Sequence, residues 1–188
     1  MKKSIMLIAA LCMTSVMTFA QKVIRVSTDK TDLVMKVSPK GRLYQVYLGD
    51  KLLNPSDYDN LKWDVYAASD GAVCQRGHEV YATSGAEDFF EPAVAATHAD
   101  GNMTTYLYYK SSEQKAVEGG TETVITLQDK VYPFTVKLHY VAYAKENVIK
   151  AWSEISHKEK SPVTLWRYSS TMLYFKSSKY FLTNYHSD

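Results

Sequence analysis

The sequence is poor in cysteine, glycine and proline, and this scarcity excludes several classes of protein. Its 188 residues contain two cysteines, eight glycines and five prolines. Because Cys12 falls in a leader that we expect to be removed, Cys74 has no partner for an intramolecular disulfide and no companion for a cysteine metal cluster. A glycine loop of the kind that binds phosphate is also missing. We interpret Cys74 as a small core residue rather than a nucleophile.

The sequence also lacks a large excess of either positive or negative charge. The 22 basic residues outnumber the 20 acidic ones only because the first 20 residues hold two lysines and no acid, so that 20 residues of each sign remain beyond them. An evenly mixed surface has no electrostatic attraction for nucleic acid or for an anionic membrane. We therefore expect neither as a partner.

The one long apolar run stands at the start of the sequence. A short basic head precedes Ile5–Phe19, and Ala20 places a small residue at a cleavage point. This run is too short and wrongly flanked to span a membrane, but it is typical of a secretory signal peptide. We predict a signal peptide over residues 1–20 and a mature domain over residues 21–188, exported to the periplasm or beyond. Lipid attachment at Cys12 is the alternative, which the bulky residue before it disfavours.

Aromatic residues are abundant, with 15 tyrosines, and aromatic and β-branched residues favour strands. In Phe134–Tyr140 every second residue is apolar, which predicts that Thr135, Lys137 and His139 lie on the opposite, polar face. His139 is thus predicted to be a surface residue. Similar alternating runs occur at Lys22–Ser27, Asp32–Val37, Arg42–Leu48, Thr121–Leu127, Val148–Ser156, Val163–Phe175 and Lys179–Asn184.

Turn residues separate these runs, and helical patterns are nearly absent. No stretch of twelve or more residues has a clean 3.6-residue apolar period, and the best helical candidate is the short segment Asn54–Leu61. The pattern predicts an all-β fold with antiparallel sheets packed as a sandwich. Because an aromatic strand leads almost directly to Asp188, we expect the sandwich to be incomplete. The turn signals stand at Pro39–Gly41, Asp100–Gly101, Gly119–Gly120, Asp129–Lys130 and Lys158–Pro162.

Three acids in one loop, Glu87, Asp88 and Glu91, raise the question of catalysis. Glycoside hydrolysis requires two carboxylates that face each other across the sugar, about 5–5.5 Å apart in retaining enzymes. Such pairs are normally assembled from separate elements rather than from neighbours in one loop. We interpret these acids as structural and predict no catalytic residue in this sequence.

Other catalytic and metal signatures are lacking. The five histidines have neither HxH nor HExxH spacing, so no metal site is predicted, and no GxSxG nucleophile motif occurs. No cofactor is implied. We expect His98 to hydrogen-bond into the turn at Asp100–Gly101.

The three tryptophans are candidates for stacking on sugars. Trp152 and Trp166 lie within alternating runs, and we predict that both are core residues. Trp63 follows the turn-like segment Asn54–Tyr58 and is the best candidate for an exposed ring, since functional residues are often carried on loops.

Three segments together resemble a known family: EDFFEPA (Glu87–Ala93), THADGN (Thr97–Asn102) and the long run Val131–Phe175. They resemble the N-terminal β-sandwich (supersandwich-type) domain of glycoside hydrolase family 36 α-galactosidases, most of all the secreted Bacteroidetes members. The likeness extends from Gly41 to the end of the sequence. It implies a retaining hydrolase whose two catalytic aspartates lie in a (β/α)8 barrel. A barrel needs about 250 residues, and the resemblance therefore carries no catalytic residue onto this sequence.

The resemblance also implies roles for two loops. It makes EDFFEPA a structural signature of the sandwich. In tetrameric family members, a loop of this domain reaches the active site of a neighbouring subunit, so we predict that Asp57 and Trp63 contact galactosides there, as a hydrogen-bonding acid and a stacking surface. The sequence departs from the family at His186–Asp188, where members continue with a glycine-tryptophan segment.

Three functional hypotheses remain open at this point. The first is the front portion of a secreted α-galactosidase, inactive by itself and partnered by the catalytic barrel. The second is a stand-alone carbohydrate-binding module that binds galactosides through exposed aromatics. The third is a structural sandwich that serves assembly of a homo-oligomer.

Overall fold

The structure is a computed structural model, and it describes residues 22–62, 79–84, 91–175, 179 and 181. These residues form nine strands and one short helix, α1, at Pro55–Asn60. The predicted helix at Asn54–Leu61 is thereby confirmed. The strands are β1 Val23–Ser27, β2 Thr31–Val37, β3 Leu43–Asp50, β4 Val94–Thr97, β5 Leu107–Val117, β6 Gly120–Asp129, β7 Phe134–Tyr143, β8 Val148–His157 and β9 Thr164–Tyr168.

The strands form three sheets, and every pair of neighbouring strands is antiparallel. One sheet has the order β1-β2-β3, a second has the order β5-β6-β7-β8, and the third pairs β4 with β9. Short connections join β1 to β2, β2 to β3, β5 to β6, β6 to β7 and β7 to β8. The turns predicted at Asp100–Gly101, Gly119–Gly120 and Asp129–Lys130 lie between strands or at their ends. The all-β antiparallel sandwich predicted from the alternation is confirmed.

A single main core lies between the sheets. Val136 and Leu138 of β7 lie opposite Leu127 and Ile125 of β6, and these side chains pack into the same cluster as Met35 of β2. All of them are at most 3% exposed. Because apolar side chains at every second position leave water together, this alternation is what drives the two larger sheets to stack.

β5 was not predicted from the sequence, where no alternating run was found between Leu48 and Thr121. Most of β5 is exposed and polar, so it lacks the alternating apolar face that marks a buried strand. Gly119 at the turn has φ +72°, a conformation that favours glycine. A Cβ on Gly120 would lie 2.5 Å from the carbonyl oxygen of Ala142. This close backbone approach requires glycine.

The predicted strand Val163–Phe175 is wrong beyond Tyr168. From Ser169 onward the backbone bonds to side chains instead of to a neighbouring strand. Tyr81 Oη and Ser153 Oγ both donate to the carbonyl of Ser169, at 2.7 and 2.8 Å. The Gln45 amide pairs with both backbone groups of Tyr174, donating to its carbonyl at 2.6 Å and accepting from its N–H at 3.2 Å. The predicted strand Lys179–Asn184 falls largely outside the described residues.

Three predictions about buried and exposed side chains are also wrong. Trp166 was expected in the core but is 67% exposed, because both faces of β9 are open; its indole N–H donates to Thr97 Oγ1 at 2.7 Å. His139 was expected at the surface but is 8% exposed. Trp152, also expected in the core, is half-buried on the outer face of the sheet, where it stacks on His139. Cross-strand pairing of His139 with Trp152 therefore covers the histidine.

Candidate functional site

The α1 segment, which carries the predicted sugar-binding loop, begins with a tight polar turn. Pro55 occupies the first helical position, where its missing N–H costs nothing. Asp57 is half-buried, its N–H donates to the Asn54 carbonyl at 3.0 Å, and Asn54 Nδ2 donates to its carboxylate at 3.2 Å. The carboxylate of Asp57 therefore takes part in the turn that starts α1.

Tyr58 anchors the same segment to the β1-β2-β3 sheet. Its hydroxyl donates to Asp32 Oδ2 at 2.6 Å, and the N–H of Leu52 donates to that oxygen at 2.9 Å. Burial by itself raises the pKa of Asp32. Hydrogen bonds from Ser27, Tyr58 and Leu52 outweigh burial and hold that pKa below its usual value. The guanidinium of Arg25 lies over the Tyr58 ring, 4.6 Å from its centroid.

Lys36 secures the other end of α1. It is 1% exposed, and its ammonium donates to the carbonyls of Asp59 at 2.9 Å and Leu61 at 2.7 Å. Burial lowers its pKa. A cation suits a helix C-terminus, where carbonyl groups lack partners within the helix. The chain therefore leaves α1 toward Lys62 from a fixed position. Trp63 itself lies outside the described residues.

A groove of about 470 Å³ runs between β3 and the end of α1. Asn60, Lys62 and Tyr174 contribute polar groups to it. No carboxylate is found among the described residues that line it, so this groove could bind a polar ligand but holds no pair of acids for hydrolysis. The lining residues are Gln45, Val46, Tyr47, Leu48, Gly49, Asn60, Leu61, Lys62 and Tyr174.

The acidic loop of the sequence is only partly described. Glu87 and Asp88 lie outside the described residues. Glu91 is exposed and forms an ion pair with Arg167 of β9. The described acid of this loop thus ties the start of β4 to its partner strand, as expected of a structural residue.

The turn that follows β4 is held by His98, which is 2% exposed. The predicted bonds into the turn are present in the backbone, where the N–H of Gly101 donates to the His98 carbonyl at 2.9 Å. The imidazole bonds elsewhere: Nδ1 lies 2.8 Å from Glu159 Oε1 and Nε2 lies 2.9 Å from Thr105 Oγ1. Because both nitrogens have partners and the ring stacks on Tyr132 at 3.6 Å, His98 cross-links three loops.

Glu159 completes this cross-link from the β8–β9 loop. Its second oxygen accepts a hydrogen bond from the Ala99 N–H at 2.8 Å. Burial raises the pKa of Glu159, but that hydrogen bond and the one from His98 outweigh it, and the pKa is held below its usual value.

A charged cluster around the buried carboxylate of Glu122 lies on the outer face of the four-stranded sheet and was not predicted from the sequence. Glu122 Oε1 lies 2.8 Å from His139 Nδ1, and Glu122 Oε2 lies 2.9 Å from Lys115 Nζ. Lys115, and after it His139, lowers the pKa of Glu122. The alternation places these residues on one face of each strand, but only the strand register shows that they meet.

Within residues 22–62, 79–84 and 91–175, no three His, Cys, Asp or Glu side chains are placed to hold a metal ion. Over the residues that the structure describes, no helix is long and apolar enough to cross a membrane.

Comparison with known proteins identifies the fold. The family model for the glycosyl hydrolase family 36 N-terminal domain matches residues 41–186. The chain belongs to this family. The resemblance seen in the sequence is thereby confirmed. No curated protein sequence matches the chain.

Solved structures of α-galactosidases contain the same fold as this family 36 N-terminal domain. The enzyme from Lactobacillus brevis is 19% identical with a TM-score of 0.67, covering 81% of this chain and 24% of its own. Two family 36 enzymes from Geobacillus stearothermophilus are similar: AgaA at 22% identity and TM-score 0.67, and AgaB at 24% and 0.62. Each match covers 80% of this chain, with 24% of AgaA and 23% of AgaB. The chain thus spans about a quarter of the length of these enzymes.

Membership in family 36 supports the structural roles predicted for two segments but does not test the sugar contacts predicted for Asp57 and Trp63. The N-terminal domain includes the EDFFEPA and THADGN segments, and their described side chains make structural contacts. For Asp57 the structure shows a position in the first turn of α1, and sugar contact by Asp57 and Trp63 stays a prediction.

Proposed function

We propose that this chain is the non-catalytic N-terminal sandwich of a secreted, retaining α-galactosidase that hydrolyses terminal α-galactosides during oligosaccharide or polysaccharide breakdown. The family 36 match over residues 41–186 carries this proposal. The solved enzymes with this fold are α-galactosidases about four times as long, which is consistent with a catalytic domain elsewhere in a longer protein.

We expect no catalysis from the described part of the domain, because its buried acids are already paired. Hydrolysis with retention needs two carboxylates about 5–5.5 Å apart on either side of a sugar. Three buried carboxylates among the described residues each have a structural partner. Asp32 binds Tyr58, Glu122 binds Lys115 and His139, and Glu79 forms a 2.7 Å ion pair with Arg42. Acids engaged in this way maintain the fold and are not free to attack a substrate.

The domain is further proposed to contribute to substrate binding in an assembled enzyme. Hydrogen bonds made by Tyr58 and Lys36 hold α1 against the sheet, so the loop that follows α1 starts from a fixed position. Asp57 and Trp63 would meet a galactoside bound to a neighbouring subunit, one by hydrogen bonding and the other by stacking. In that setting, Trp63→Ala would raise KM and leave the rate at saturating galactoside unchanged.

The first experiment measures the size of the native product by immunoblotting source cells with an antibody to this chain. A band several times heavier than 21.3 kDa is expected, and that purified polypeptide should hydrolyse a chromogenic α-galactoside. The isolated chain should be inactive. A native band near 21 kDa, or activity of the isolated chain, would contradict the proposal.

A carbohydrate-binding module is the second candidate function. A groove on the outer face of the four-stranded sheet, lined by an indole and by charged groups, favours it. Calorimetric titration with melibiose should give saturable heat if this role is correct. The two functions are compatible, since a binding module can also be part of a hydrolase.

A further inference from the structure

The outer face of the four-stranded sheet carries a groove of about 650 Å³, the one that favours a binding-module role, and the proposed hydrolase function does not account for it. Sites for small ligands commonly measure roughly 300–1,000 Å³ and combine apolar surface with a few polar groups. This groove has that mixture of apolar, aromatic and charged groups. Its lining residues are Val117, Glu118, Glu122, Val141, Tyr143, Lys150 and Trp152.

The aromatic side of the groove is held in place before any ligand binds. The indole of Trp152 stacks on the His139 ring at 4.7 Å and 10°. His139 is in turn fixed by Glu122 at 2.8 Å, and Glu122 by Lys115 at 2.9 Å. A ring fixed by such a chain loses little conformational entropy when a ligand stacks on it.

Tyr143 is positioned by the β5–β6 hairpin. Its ring lies 3.6 Å from the position that a Cβ on Gly119 would occupy and 3.4 Å from that on Gly120. The two glycines therefore allow the phenol ring to lie against the turn. As a result, aromatic rings from β7 and β8 line the same groove.

The charges of the groove balance. Glu118 and Glu122 carry the negative charge, while Lys150 and Lys115, which is bound to Glu122, carry the positive charge. A balanced site attracts neither an anion nor a cation by net charge. It does offer carboxylate acceptors and ammonium donors to hydroxyl groups. One further polar atom, His139 Nε2, is buried and without a hydrogen bond among the described residues, 3.5 Å from Glu154 Oε1.

We propose that this groove binds an uncharged saccharide, with a pyranose ring packed against Trp152 beside the Lys150 ammonium, which lies 5.3 Å from the indole centroid, and with its hydroxyls bonded to Glu118 and Lys150. A pyranose matches these groups because it has an apolar C–H surface and a rim of hydroxyls. The choice of an α-galactoside as the probe rests on the proposed function. The proposal of a binding site at this place is supported by the shape and lining of the groove alone.

The test follows the indole N–H resonances of the folded chain by NMR during titration with raffinose. The Trp152 resonance should shift in a saturable manner, whereas that of Trp166, on the exposed strand β9, should not move. Trp152→Leu should abolish saturable binding, and the matched change Trp166→Leu should preserve it. Galacturonate, which adds a negative charge, should not bind more tightly than raffinose.

A second variant keeps the proposal testable if Trp152→Leu does not fold. Glu118 is exposed in the hairpin turn, so Glu118→Gln should leave the dispersed amide spectrum intact and weaken raffinose binding at least threefold. Absence of a saturable Trp152 shift in the folded chain would overturn the proposal, as would binding unaffected by both Trp152→Leu and Glu118→Gln.

The outcome is separable from that of the proposed function. A heavy native product that hydrolyses α-galactosides, together with no binding to the groove, would refute the groove alone. A short native product with binding at Trp152 would refute the hydrolase assignment and leave the groove standing.

Discussion

At the scale of single residues, buried charged side chains link the strands, the helix and the loops by hydrogen bonds and ion pairs. Lys36 connects β2 to α1, Glu122 connects β5 to β7, and Glu159 connects the β8–β9 loop to the turn after β4. Each of these groups is buried at the cost of its hydration and is therefore bound on more than one side. Removing one partner leaves the other group buried without compensation.

Lys36 provides a direct test of this role. Lys36→Met keeps much of the aliphatic volume but removes the donors to the carbonyls of Asp59 and Leu61. We expect the free energy of unfolding, measured by urea denaturation, to fall by about 1–3 kcal/mol. Lys40→Met, at an exposed turn position, is the matched control and should leave stability nearly unchanged. Equal stability of both variants would show that the hydrogen bonds from Lys36 to α1 do not stabilise the fold.

Glu122 makes stability depend on pH. Its pKa in the folded chain is lowered, so its ionisation stabilises the fold at pH values above the unfolded-state pKa of about 4.3. That contribution is lost as the pH falls through the folded-state pKa. Glu122→Gln should therefore be less stable than the wild type at pH 7, with the difference shrinking below pH ~4. Thermal melts across this pH range measure it; a difference that is constant with pH would contradict the assignment.

At the scale of elements, β9 is the least covered strand. All five of its residues are exposed, including Leu165, Trp166 and Tyr168, and Phe175 in the following segment is 62% exposed. Its one ladder partner among the described strands is β4. A strand with an open edge and apolar side chains invites association with other protein surface.

The exposed surface around β9 should be visible to a hydrophobic dye. The isolated chain is expected to bind 8-anilinonaphthalene-1-sulfonate, and Leu165→Ser combined with Phe175→Ser should reduce its fluorescence. Val131→Ser is the matched control, because Val131 is 80% exposed in the β6–β7 turn and belongs neither to β9 nor to the segment that follows it. A sharp, cooperative melt of the wild-type chain without dye binding would contradict the prediction.

At the scale of the whole molecule, the chain combines a proposed export signal with a domain of family 36. Export would bring the domain into the compartment where extracellular or periplasmic glycosides are found. Its core of apolar side chains lies between antiparallel sheets, as we expect of an exported domain that relies on its core and not on a disulfide.

Export makes a specific prediction about the mature N-terminus. Cleavage after Ala20 should give a protein that begins at Gln21, as measured by mass spectrometry of the exported product. Ala20→Tyr should block cleavage, because signal peptidase sites require a small residue there. Ala10→Leu, within the apolar run, should be cleaved normally. Recovery of an uncleaved wild-type protein in the cytoplasm would refute the export signal.

The sequence by itself determined the fold class, most of the strands, the short helix and the family. These follow from local alternation, turn residues and motifs, all of which are properties of neighbouring residues. β5 was missed because an exposed polar strand carries no apolar period. The sugar-binding roles of Asp57 and Trp63 remain predictions.

Only the tertiary structure decided which faces are covered and which side chains meet. Alternation groups residues on one face of a strand, but it does not say what packs against that face. His139 is buried because Trp152 pairs beside it, and Trp166 is exposed because both faces of β9 are open. The strand at Val163 ends early because Gln45 and Tyr81, distant in sequence, bind the backbone that follows. Contacts between residues far apart in the chain depend on register, which local pattern does not specify.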